Sequence, residues 1–104
     1  MLTSEQKNAI VEAITKVASP RAVILFGSEA TGTASDHSDI DIAVIKDTVT
    51  SKVRESVELW RALKFIRRAN DIIVVSVGEY DYYKKQAGSI FRTIAETGTV
   101  LYAR

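Results

Sequence analysis

The chain contains no cysteine, which excludes a disulfide scaffold, a thiolate metal centre and a cysteine nucleophile. It has one histidine, His37, so a histidine metal cluster cannot form. Neither Gly-x-Gly-x-x-Gly nor Gly-x-x-x-x-Gly-Lys-Ser/Thr occurs, which removes the two commonest phosphate-cradling motifs and a doubly wound dinucleotide fold with them. No apolar run approaches the roughly 20 residues that span a bilayer. The opening Met1-Leu2-Thr3-Ser4-Glu5-Gln6 lacks the basic start and apolar stretch of a secretory signal, so a cytoplasmic protein is expected. Net charge is only +1, too little to draw the surface as a whole to nucleic acid or membrane. Repeats, low-complexity tracts and linkers are also missing, and residues 1–104 read as a single small domain.

What is present centres on one stretch. Leu25-Phe26-Gly27-Ser28 reads as a strand ending in a tight turn, and Ser38-Asp39-Ile40-Asp41-Ile42-Ala43-Val44-Ile45 as a second strand reached through a small, polar loop. Strand alternation turns Asp39, Asp41, Ala43 and Ile45 to one side and Ile40, Ile42 and Val44 to the other. Two carboxylates then stand about 6.5–7 Å apart at their Cα atoms, within reach of one divalent cation or a close pair. Asp is depleted in strands, and two neighbouring anions repel unless a cation or proton intervenes.

The remaining elements read as support. Thr3 or Ser4 caps a first helix, with Gln6 completing a capping box and Ile10, Ile14 and Val17 facing the core; Pro20 ends it. Ala22 to Phe26 is continuously apolar, as in a strand covered on both faces. A long helix is expected from about Thr50 to Arg68, with Val53, Val57, Trp60, Leu63 and Ile66 on its apolar stripe and Leu59 beside it. Trp60 then belongs to the core unless that helix is shared with another chain. Ile72 to Ser76 forms a β-branched third strand closed by Gly78. Tyr80 to Lys85 is a short helix with Tyr80, Tyr82 and Tyr83 at the rim of the core. Ser89 caps another helix from Ile90 to Glu96, and Gly98 leads into an edge strand at Val100-Leu101-Tyr102. The order predicts an α/β (α+β) fold, a small mixed sheet with helices packed on it.

Gly27-Ser28, ten intervening residues and Asp39-Ile40-Asp41 together resemble the signature of the DNA polymerase beta-like nucleotidyltransferase superfamily. The chain's small size, its Ser38-Asp39-Ile40-Asp41 context and its ending, Gly88-Ser89-Ile90-Phe91-Arg92 followed by Gly98-Thr99-Val100-Leu101-Tyr102, are similar to the minimal nucleotidyltransferase branch. The resemblance implies a polymerase beta palm-like fold and transfer of a nucleoside monophosphate, AMP from ATP above all, to an acceptor hydroxyl. It implies that Asp39 and Asp41 bind two Mg²⁺ ions and that Asp71, opening the next apolar strand, is the third carboxylate. Gly27 and Ser28 then contact the triphosphate. It also implies a HEPN-domain protein as partner, in which a toxin tyrosine accepts the nucleotide and this chain acts as antitoxin.

The chemistry calls for the same residue types. Attack on an α-phosphorus needs divalent metal to hold the reacting oxygens and neutralise pyrophosphate, and Mg²⁺ takes hard oxygen ligands. Gly27 lets phosphate approach the backbone and Ser28 offers a hydroxyl. Each residue also has a plainer use: Gly27-Ser28 as turn and helix cap, Asp39 and Asp41 as a solvated strand face, Asp71 as a turn residue, His37 as an exposed loop side chain, and Lys64, Arg67 and Arg68 as a solvated helix end. One departure stands out. Relatives carry arginine in a Gly-Ser-x-Ala-Arg-Gly pattern where this chain has Thr31, and Glu29 adds negative charge nearby, both unfavourable to triphosphate. An alternative is therefore a binding subunit with a weakened site that neutralises its partner by complex formation. A chain this small has little surface for a dedicated acceptor pocket, which favours a partner in either case; self-association is left open.

Overall fold

The computed structural model describes residues 1–35 and 38–104. Helix α1 spans Ser4–Val17, opened by the capping box of Thr3 and Gln6, which satisfies two otherwise unpaired amides. Strand β1 (Ala22–Phe26) runs into the short helix α2 (Ser28–Thr31). Strand β2 (Ile40–Lys46) precedes helix α3 (Lys52–Ala62), capped by Ser51, and strand β3 (Asn70–Ser76) follows. Helices α4 (Val77–Tyr83) and α5 (Ile90–Thr97) then lead to strand β4 (Thr99–Ala103).

The four strands form one mixed sheet in the order β3-β2-β1-β4. β1 is antiparallel to β2 and β4, whereas β2 and β3 run parallel, a pairing that needs a crossover, here supplied by α3. Alternation along the strands divides the core as the sequence suggests. Ile40, Ile42 and Val44 join Val23, Leu25 and Val74 under α1 and α3, with Ile10, Ile14, Leu59 and Leu63. Ala43, Ile45, Ile24, Phe26 and Val75 pack on the other face with Tyr80 and Ile94. Tyr80 and Phe91 meet edge to face at 6.1 Å, joining α4 to α5 on that second layer.

Several expectations are corrected. The long helix is shorter than 50–68, because after Ala62 the chain tightens into turns. Its apolar stripe is divided: Leu59 and Leu63 are fully buried, whereas Val53, Val57 and Trp60 are exposed. Val17 is exposed in the last turn of α1, and Tyr82 and Tyr83 are exposed while only Tyr80 is buried. Gly78 does not close β3; it lies within α4, whose cap is Ser76 accepting from the Glu79 amide.

The helix-end cations are also not all solvated. Arg68 turns inward and donates to Oε2 of Glu29 at 3.0 Å and to the carbonyls of Ser38 and Ser35. Glu29 is 3% exposed, and its other oxygen accepts the Leu2 amide at 2.8 Å. The negative charge expected from Glu29 near the turn is thereby buried and paired with Arg68. One guanidinium ties α2, the loop ahead of β2 and the segment entering β3.

Burial pushes the Glu29 carboxyl up, but the Leu2 amide and the Arg68 hydrogen bond and charge outweigh it and leave the value lowered. The folded value therefore lies below the unfolded one. The resulting stabilisation is full above the ordinary glutamate value of 4.5 and is lost as pH falls through the lowered folded value. Arg68→Met leaves a buried uncompensated charge, so urea unfolding at pH 7 should show a loss of about 3–5 kcal/mol. That loss should shrink in acid below 4.5; a loss independent of pH would assign it to packing instead.

Candidate functional site

The candidate residues gather where β1 ends and β2 and β3 begin. In the register of the parallel pair Asp41 stands directly beside Asp71, so the two side chains leave the same face from strands roughly 4.8 Å apart. Across the antiparallel pair Asp41 faces Phe26, the residue before Gly27. Asp39 lies just ahead of β2. Asp41 is half-buried, and Asp39 and Asp71 are exposed.

Gly27 is held where only glycine fits. Its φ is 72° and its ψ is −149°, a region closed to residues with a side chain. A Cβ there would also collide with Oδ2 of Asp41. The glycine thus brings bare backbone against the central carboxylate. Its carbonyl accepts the Ala30 and Thr31 amides at 3.1 Å each, which fixes the turn into α2 and places Ser28 at the first helical position.

Burial, then the charge of Asp71, then that of Asp39, push the Asp41 carboxyl above its ordinary value. Among the described residues no three carboxylate or histidine side chains already surround a common point as a complete cage. The donor set nonetheless suits Mg²⁺, which commonly takes one or two carboxylates and fills its other positions with water and phosphate oxygens. A divalent cation there would relieve the repulsion that raises Asp41. Thr31 presents no cation; its hydroxyl donates to the Gly27 carbonyl at 3.3 Å and meets Thr33 at 3.1 Å. His37 lies outside the described residues.

The Glu29–Arg68 pair was not visible in the sequence as part of this region. Arg68 holds the Ser38 carbonyl at 2.7 Å, one residue before Asp39, while Glu29 lies one residue after Ser28. The pair therefore sets the spacing between the turn and the carboxylates. Its partners are 39 positions apart, and no local pattern announces it.

Comparison with known proteins adds the family. No curated protein matches the chain significantly. A crystal structure of a candidate nucleotidyltransferase from Sulfolobus solfataricus is 28% identical with a TM-score of 0.62, covering 94% of this chain and 77% of that one. A toxin-antitoxin complex crystallised with AMP-PNP is 22% identical with a TM-score of 0.61, covering 94% of this chain and 73% of that one. A mutant of the toxin-antitoxin MntA-HpeT, with two aspartates replaced by glutamate, is 17% identical with a TM-score of 0.69 and the same coverage. At those identities the latter two establish likeness of fold. The sequence profile described as polymerase beta, nucleotidyltransferase, matches residues 8–104, nearly the whole chain, and the chain belongs to that family.

Proposed function

We propose that the protein is a Mg²⁺-dependent nucleotidyltransferase that moves a nucleoside monophosphate, AMP from ATP, to a hydroxyl on a partner protein. The observation that carries this reading is Asp41 in register with Asp71 and two residues after Asp39, against a glycine whose missing side chain leaves room beside its carboxylate. A strand that served only as a strand would gain nothing from three mutually repelling anions.

In this reading Asp39 and Asp41 would hold the metal, and Asp71, in register with Asp41, would complete the set. Bound Mg²⁺ supplies Lewis-acid neutralisation of the triphosphate and of the departing pyrophosphate. Gly27 and Ser28 orient the phosphates through backbone and hydroxyl. Asp71 takes the proton of the acceptor hydroxyl as its oxygen bonds to the α-phosphorus; the bond from that phosphorus to the bridging oxygen breaks, and pyrophosphate leaves. The toxin-antitoxin neighbours favour an acceptor on a partner protein, a HEPN-type toxin that this chain would restrain as antitoxin in the cytoplasm. Residues 1–104 then work as one domain.

A second reading is favoured by Thr31. Without a guanidinium after the turn the site grips triphosphate less firmly, and the domain would act by binding its partner with little or no transfer.

Labelled ATP, Mg²⁺ and the product of the neighbouring gene should yield a labelled partner with the wild type. Asp39→Asn/Asp41→Asn should lower the initial rate by at least about 10²-fold. Inhibition of the partner by both forms with label transferred by neither would select the second reading. Stability offers a separate check on the carboxylates. A raised carboxyl value means that the ionised form is disfavoured in the folded state, so stability falls as pH rises through it. In metal-free buffer at pH 7 Asp41→Asn should therefore melt at or above the wild-type temperature, and Mg²⁺ should raise the wild-type Tm but not that of the variant. A clear drop in the Tm of metal-free Asp41→Asn would contradict the repulsion.

A further inference from the structure

Helix α3 is apolar on two sides. Leu59 and Leu63 fill the core, while Val53, Val57 and Trp60, at i, i+4 and i+7, make a second stripe that is 77%, 40% and 48% exposed. A helix covered on one side only would put charged residues there. Among the described residues β3 pairs with β2 alone and forms an edge of the sheet. Between helix and edge lies a cavity of about 210 Å³ lined by Ser56, Val57, Trp60, Asn70, Asp71 and Ile72. At that cavity Oδ1 of Asn70 is buried without a hydrogen-bond partner among the described residues, a state that proteins seldom leave uncorrected. Arg54 and Arg61 both lie along one side of the stripe, next to the exposed Glu58, and neither arginine is ion-paired among the described residues. Lys64 closes its end, 4.9 Å over the Trp60 ring.

We propose that the Val53–Val57–Trp60 stripe and the adjoining edge cavity dock an amphipathic helix of a partner protein whose apolar ridge carries Asp or Glu along the one side that meets Arg54 and Arg61. This inference rests on the partner half of the proposed function and not on catalysis. An apolar ridge at helical spacing receives a helix by ridge-and-groove packing, and the small cavity takes one or two side chains rather than an extended row. A second copy of this chain fits poorly, because two-fold pairing of the stripe would bring Arg54 and Arg61 toward their own counterparts. Asp71 borders the same cavity, while its side chain leaves the sheet on the opposite face, with Asp41.

Trp60 is the only tryptophan, so its fluorescence reads the surface directly. Addition of the purified product of the neighbouring gene should shift its emission to the blue. By calorimetry Trp60→Ser and Arg54→Glu/Arg61→Glu should each weaken binding at least about tenfold, the second with a reduced dependence on salt. Phe65→Ser, an exposed site facing α1, should bind as the wild type does. Asp39→Asn/Asp41→Asn should also bind normally, which separates failure of the docking surface from failure of the catalytic reading. Circular dichroism and Tm establish that each variant is folded. Absence of wild-type binding, binding indifferent to both stripe variants, or self-association of the chain abolished by Trp60→Ser would each overturn the proposal.

Discussion

Like charges brought together in a partly dry site must be held there by something stronger than their repulsion. Asp41 stands beside Asp71 on the neighbouring strand and two residues after Asp39, which lies just ahead of β2. What holds them is the sheet: β2 is central, with Ile40, Ile42 and Val44 fully buried beneath two helices. Losing even one such side chain to alanine costs about 2–5 kcal/mol, so the framework readily outweighs repulsion between partly solvated carboxylates. The remaining features follow from this constraint. Gly27 yields the space next to Asp41, α3 delivers β3 in parallel register, and the Glu29–Arg68 pair secures the loop that ends at Asp39.

The part of this arrangement that is local was legible. Period-two alternation placed Asp41 on the face opposite Ile40, Ile42 and Val44, although the strand begins at Ile40 and leaves Asp39 just ahead of it, and the Thr3–Gln6 capping box is written within four residues. The break at Gly27 also carried its meaning on its surface, although its close approach to Asp41 needed the register between β1 and β2. Asp71 was identified only through family resemblance. Its pairing with Asp41 depends on where the crossover through α3 returns, which no short motif encodes.

The misread positions share a physical reason. A helical stripe has the same spacing whether or not the core covers it, so Val53, Val57 and Trp60 looked like core although they are exposed. Arg68 looked like a solvated helix end because its partner is far away in sequence, and Glu29 looked like a repulsive charge for the same reason. Gly78 carries a turn signal that is outweighed by Ser76 capping the next helix. In each case tertiary context decided between two uses of one residue.

The account turns on the carboxylates taking up a divalent cation together with nucleotide. Crystals grown with Mn²⁺ and a non-hydrolysable ATP analogue would test this through anomalous scattering. The account predicts a metal peak bonded to oxygens of both Asp39 and Asp41 at about 2.0–2.3 Å, with triphosphate oxygens completing the shell beside Gly27 and Ser28. Nucleotide bound with the metal elsewhere, or a metal touching neither aspartate, would contradict it.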